Sequence, residues 1–390
     1  MLSADARDFL LTPDERALRA QVGELLDREL APVAAAIEER DDWQALAGAA
    51  RALGAAGHLR HMFEPGEHRA GLTRQTIVSE EAAFRSYAFE TTIATSLSCA
   101  FALDRHATAA VRDRHLDGLI EGRSTGAICV TEAEVGSDSS AMATEVRPDD
   151  DGWAIGGAKR YISNAGVADV YVVYGVGSDG RVTALVVPAA TPGLAFPRRY
   201  SFMGRRGCVV GEVSFEGCRV PGDHLLGAEG EGQAVLRSMF NFERVLLGGS
   251  ALGVGRSALT LAVEHARRRI VFGQPLAAKQ LTWARIAEMS VRLDAAELLT
   301  YRAARCYDAG LAPKALAGPA AMAKLAASEA ACFCADAAVQ ILGADGLTKE
   351  YGRAEQIYRD ARALPIVGGT SEIARYLIAR AQLPGVELSL

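Results

Sequence analysis

The sequence predicts an α+β chain in three parts: an N-terminal helical domain over 1–121, a middle antiparallel β-barrel or sandwich over 122–228, and a C-terminal four-helix-bundle-like domain over 229–390. Three observations carry this. Apolar residues recur at helical spacing at both ends of the chain, β-branched residues with short turns take over from Ala127, and one long helical pattern runs from Gln233 to Arg269.

Thr12-Pro13-Asp14-Glu15 reads as a helix start, with an N-cap hydroxyl, a first-turn proline and acids at the positive helix end. Leu18, Val22, Leu25 and Leu26 continue it as an apolar stripe that Ala31-Pro32 interrupts, and Ala45 to Ala56 and Ile77 to Ala110 extend the helical reading. His58 to Thr73 reads as a loop of Gly, Pro and charge. Strands are expected at 127–130, 153–155, 171–174, 184–187 and 212–215, separated by turns at Asp150-Asp151-Gly152, Ser178-Asp179-Gly180 and Thr191-Pro192-Gly193. After Val220-Pro221-Gly222 helices return at Gln233 to Arg269, Leu281 to Ala309, Ala315 to Leu342 and Ser371 to Arg380.

A net charge of −6 argues against nucleic acid as the main partner, because neutralising phosphates takes an excess of Lys and Arg. Seven cysteines, an odd count without a C-x-x-C pair, and an opening without a secretory pattern point to a reduced, cytoplasmic protein. No uninterrupted apolar run reaches the roughly 20 residues of a membrane span. His58 and His61 share a helical spacing but have no third ligand nearby, so no metal site is expected.

Glu243-Arg244 stands out in the long helix as a charged pair among Met239, Phe242 and Leu246. It reads either as a buried ion pair or as a carboxylate base beside a ligand. Val130-Thr131-Glu132 through Gly136-Ser137-Asp138 ends a strand in a loop that offers N–H and O–H donors, and Lys159-Arg160-Tyr161-Ile162-Ser163 puts a ring and a hydroxyl on a second strand. Each taken alone is more often a turn or a core aromatic.

Together with Arg269-Ile270-Val271-Phe272-Gly273-Gln274-Pro275 and Gly369-Thr370-Ser371-Glu372, these segments closely resemble the acyl-CoA dehydrogenase family of flavoproteins over essentially the whole chain. The resemblance implies that fold, FAD as cofactor, an acyl-CoA substrate, an electron-transfer flavoprotein as acceptor, and a homo-oligomer, usually a tetramer. It puts Val130, Thr131, Gly136, Ser137, Tyr161, Ser163, Thr370, Ser371 and Glu372 on FAD. Arg269, Phe272, Gln280, Gln340 and Gly343 match positions that reach the FAD of a neighbouring subunit.

Many family members carry the catalytic glutamate just before G-T, where this chain has Gly368. A branch resembling isovaleryl-CoA and long-chain acyl-CoA dehydrogenases carries it instead in an E-R pair on the long helix, and Glu243 fits that slot, 26 residues before Arg269. On this reading Glu243 takes the α-proton and the Gly368 N–H faces the thioester oxygen. Arg244 and Gly369 lie beside the thioester end, and Ser137 and Asn241 near the pantetheine arm. Two rivals share the fold: a dehydrogenase of acyl or aminoacyl groups on an acyl carrier protein, for which Arg198-Arg199 and Arg205-Arg206 would be the docking face, and a flavin monooxygenase or oxidase.

Overall fold

The computed structural model describes residues 8–63, 71–139 and 141–389. The first part holds α1 (Pro13–Glu29), α2 (Ala34–Arg40), α3 (Gln44–Ala55), α4 (Gly71–Arg85), α5 (Tyr87–His106) and α6 (Ala109–Ile120). Thr12 and Glu15 close a capping box on α1: Glu15 N–H donates to Thr12 Oγ1 at 3.3 Å and Thr12 N–H to Glu15 Oε2 at 2.9 Å. The loop expected at His58 to Thr73 lies partly outside the described residues, and Gly71 to Thr73 already belong to α4. The run expected from Ile77 to Ala110 is broken twice, because Ser86 and Thr108 leave helical geometry and accept from Phe89 and Val111 N–H as N-caps.

The middle part is one sheet of β1 (Gly126–Cys129), β2 (Glu145–Asp149), β3 (Gly152–Ser163), β4 (Val170–Val176), β5 (Val182–Pro188), β6 (Leu194–Ala195) and β7 (Val210–Pro221). The order is β1-β4-β2-β3-β7-β6, with β5 also on β4. Most pairs are antiparallel as expected, but β1 runs parallel to β4, in register from Gly126 with Val170 to Cys129 with Val173, and β2 also meets β4 in parallel at Glu145 and Val176. β2 escapes the sequence reading because Glu145, Arg147 and Pro148 are exposed and Val146 alone is buried.

The last part holds α7 (Gly232–Arg268), a hairpin of β8 (Ile270–Val271) and β9 (Gln274–Pro275), α8 (Gln280–Asp308), α9 (Pro313–Leu342), α10 (Ala354–Ala361) and α11 (Ser371–Gln382). α7 is its axis, packed on α8 and α9 and reaching back to α4 and α5. The α4 contact is backbone to backbone. A Cβ on Gly249 would come within 2.8 Å of the Thr76 carbonyl oxygen, and one on Gly253 would overlap that of Glu80. A buried network locks the same junction: Arg19 pairs with Glu80 at 3.0 Å, Tyr301 Oη donates to Glu80 Oε2 at 2.6 Å, and Arg256 bridges Glu80 and Glu297.

Apolar character on α7 and α9 is higher than the search for unbroken runs suggested. Gly232–Arg268 and Pro313–Leu347 have windows of mean hydropathy 1.4, long enough to cross a membrane, but 78% and 56% of those windows is buried inside the protein. They are core helices of the bundle.

Candidate active site

Glu243 sits about a third of the way along α7, half-buried, and among the described residues no hydrogen bond or ion pair reaches its carboxylate. Burial pushes its pKa up to about 7, against the pull of Arg244 and Lys324. Arg244 follows directly and so points about 100° around the helix. It is buried, and its guanidinium lies 5.3 Å from the centre of the Phe240 ring. The ion pair that the sequence allowed is therefore absent, and the carboxylate is left to a ligand.

The loop between α10 and α11 closes on that carboxylate. Gly368 has φ +65°, and a Cβ built on it would lie 3.7 Å from Glu243 Oε1 while overlapping Leu247 Cδ1. Among the described residues its N–H has no acceptor. Gly369, at φ +99°, faces the Arg244 guanidinium, and its carbonyl accepts from Lys324 Nζ at 2.7 Å. Lys324 is 1% exposed, and burial with Arg244 nearby lowers its pKa to about 8. Sequence reasoning missed it: a lysine in an alanine-rich helix reads as solvated, and only its inward position on α9 marks it. Asn241 is also buried, and its Nδ2 donates to the Pro313 carbonyl at 2.8 Å, tying α7 to the start of α9.

On the sheet side, Val130 is buried, Thr131 and Ser163 are half-buried, and Gly136 and Ser137 are exposed. Glu132 clamps the loop that carries them: its carboxylate accepts from Lys159 Nζ at 2.8 Å and from Ala143 and Thr144 N–H at 2.7 and 3.0 Å. Burial raises its pKa, but these donors win and hold it at about 2. Tyr161 occupies a bulge of β3 with φ +58°, which turns its ring outward at 48% exposure, beside Tyr200 and under Arg160. Thr370 caps α11 by accepting from Ile373 N–H, the buried Ser371 Oγ next to it has no partner among the described residues, and Glu372 is exposed.

These features fit a flavin. An outward ring, an open glycine loop and a buried hydroxyl without a partner are surfaces that a flat, polar-edged group would satisfy. Arg269, Phe272, Gln280, Gln340 and Gly343 stand apart, all exposed, at the end of the bundle where α7 and α9 finish and α8 begins. Along α7 the 26 residues from Glu243 to Arg269 span about 39 Å. Arg269 is thus remote from its own Glu243.

Three of the four arginines in these pairs are engaged within the chain, and Arg198 is exposed. Arg205 is buried and its N–H donates to Asp360, Arg206 Nε donates to the Glu38 carbonyl at 2.6 Å, and Arg199 pairs with Asp41 at 2.8 Å. A cavity of about 400 Å³ between α3, α5 and the β3–β4 turn contains none of the residues around Glu243.

Sequence comparison matches residues 12–123, 127–218 and 230–383 to the N-terminal, middle and C-terminal domains of acyl-CoA dehydrogenase. The chain belongs to the acyl-CoA dehydrogenase family. It is 39% identical over 264 residues to the human mitochondrial short-chain specific acyl-CoA dehydrogenase, an alignment that spans 66% of this chain and 63% of that enzyme. It is 34% identical to benzylmalonyl-CoA dehydrogenase of Aromatoleum aromaticum over 96% of this chain and 99% of the relative. A glutaryl-CoA dehydrogenase from Mycobacterium smegmatis, solved in complex with FADH2, superposes with a TM-score of 0.88 at 26% identity, covering 98% and 97% of the two chains.

The Gly368 contact yields a coupling test. Gly368→Ala lowers stability by about 1 kcal/mol or more, from the positive φ and the clash with Leu247. Leu247→Ala removes the clash, so thermal melting of the double variant shows less than the summed loss. Additive losses would mean that the two groups do not touch.

Proposed function

We propose that this protein oxidises the α,β bond of an acyl thioester, converting acyl-CoA to trans-2-enoyl-CoA, with Glu243 as the α-proton base. The observation that carries this reading is the 3.7 Å between Glu243 Oε1 and the point where a side chain at Gly368 would begin. A carboxylate from α7 fills the space that a carboxylate from the α10–α11 loop would otherwise fill. The E-R pair on α7 and the glycine at 368 support a likeness to the isovaleryl-CoA and long-chain branch of the family.

An α-hydrogen next to a thioester is weakly acidic, and Glu243 near neutrality is matched to removing it as a proton. The electron pair left on the α-carbon forms the double bond as the β-hydrogen departs with its own pair as hydride. Bound FAD, held by the Val130–Ser137 loop, Tyr161, Ser163 and the Thr370–Glu372 cap, supplies the hydride acceptor. The free Gly368 N–H donates to the thioester oxygen, where charge develops as the proton leaves. Lys324 holds the Gly369 carbonyl, which fixes that N–H, and its charge together with that of Arg244 keeps the Glu243 pKa from rising further.

The exposed corner around Phe272 supports an oligomer, tetrameric in this proposal, in which Arg269, Phe272, Gln280, Gln340 and Gly343 meet the cofactor of another subunit. Phe272 is 96% exposed, Leu281 87% and Val291 66%, a concentration of bare apolar surface along the hairpin and α8 that a monomer rarely carries. An electron-transfer flavoprotein completes the cycle, and the seven unpaired cysteines accord with a cytoplasmic setting.

Under anaerobic mixing with a panel of acyl-CoAs, wild type bleaches its flavin, whereas Glu243→Gln retains FAD and reduces at least 10³-fold more slowly. Reduction at an unchanged rate would place the base elsewhere. Because only the ionised carboxylate accepts a proton, the rate rises with pH through about 7. Lys324→Met, which removes a cation that lowers this pKa, moves that limb to higher pH. In sedimentation, Phe272→Asp yields smaller particles with weaker FAD retention; an unchanged oligomer with full FAD would remove this corner from the interface.

A further inference from the structure

Farther along α7 from the base lies a second carboxyl that the reaction does not use. Glu90 on α5 is 1% exposed, and among the described residues neither of its oxygens has a hydrogen-bond partner of good geometry. Around it are the hydroxyls of Ser79 on α4 and Ser250 on α7. Ser250 Oγ already gives its proton to the Leu246 carbonyl at 2.9 Å, so it offers Glu90 only a lone pair. Tyr87, one turn before Glu90 on α5, has an unpartnered buried hydroxyl. Gln75, one turn before Ser79 on α4, is fully buried with both amide atoms unpartnered. Buried polar groups are almost always paired, and the Glu90 carboxyl is a buried group still short of a partner.

Its position relates this group to the substrate. Ser250 lies seven residues beyond Glu243 on α7, two helical turns along the same face, with Leu247 between them. An acyl chain whose α-carbon meets Glu243 and whose tail follows this face ends beside Glu90. Burial, with the Glu243 charge adding to it, raises the Glu90 pKa to about 8, so near neutrality it is a carboxylic acid that can both donate and accept.

We infer that Glu90 is a specificity residue that recognises a hydroxyl or amino group on the distal part of the acyl chain, making a polar-tailed acyl thioester the preferred substrate over a plain alkyl one. This rests on the dehydrogenase reading above. An alkyl tail would seal the Glu90 carboxyl away without a partner, whereas a distal hydroxyl or amine completes it, and sites of this kind discriminate strongly against analogues lacking the polar group.

The test compares chain-matched pairs of CoA thioesters, alkyl against ω-hydroxy and alkyl against ω-amino, on the FAD-loaded protein. Binding is read by calorimetry and reduction by flavin bleaching, for wild type, Glu90→Gln and Glu90→Leu. Wild type favours one polar member by about tenfold or more in kcat/KM and in Kd; Glu90→Gln keeps part of the preference, and Glu90→Leu loses or inverts it while still being reduced by the alkyl thioester. Which polar member wins tells whether the distal group is a hydroxyl or an amine. Bleaching by both members of a pair without preference, or a preference that survives Glu90→Leu, overturns the assignment. No bleaching by any thioester, with FAD bound, would instead sink the dehydrogenase reading and this inference with it.

Discussion

Everything in this molecule that bears on chemistry depends on one half-buried carboxylate that has cations near it but, among the described residues, no ion pair. Glu243 has Arg244 and Lys324 nearby, yet neither pairs with it, and burial keeps its pKa near neutrality. A direct salt bridge would make it a weak base, and an apolar surround would keep it protonated. The bundle achieves the intermediate case by geometry. Arg244 is turned aside by the helical step and rests on Phe240, while Lys324 donates to the Gly369 carbonyl.

That balance needs the loop before α11 to press on α7, and the chain is shaped to let it. Gly368 and Gly369 adopt positive φ, so the backbone reaches the face of α7 that carries Glu243 and Leu247. On the opposite side, Gly249 and Gly253 allow α4 to lie against α7 backbone to backbone, held by the Arg19, Glu80, Arg256 and Glu297 network. α7 is thus fixed from two sides, which is what a base that must meet one carbon atom requires. The sheet contributes independently through the Glu132–Lys159 clamp and the β3 bulge that turns Tyr161 outward.

Much of this was legible in the sequence because the elements are long and periodic. α7, α8 and α9 fall within a residue or two of their expected ends, and five strands were found from their β-branched runs. β2 was hidden by its exposed polar residues and its proline, and the break at Ser86 by a helical pattern that continues across it. Glu243, Gly368 and Tyr161 were singled out through their resemblance to a family pattern. Lys324 and Glu90 were not, because a lone charged residue in a helix reads as solvated until the fold shows which way it faces. Sequence likewise offered a basic docking face at Arg205-Arg206, which the fold instead uses to fasten α2 and α10 to the sheet.

The central claim, that Glu243 exchanges a proton with the substrate α-carbon, can be isolated from electron transfer. A CoA thioester with sulfur in place of the β-carbon has no hydride to give, so its α-hydrogens report on the base alone. Incubated in deuterium oxide with FAD-loaded protein and followed by NMR, it should exchange its α-hydrogens with wild type and with Lys324→Met at elevated pH, and not measurably with Glu243→Gln. Exchange that persists in Glu243→Gln would contradict the account, since some other group would then be removing the proton.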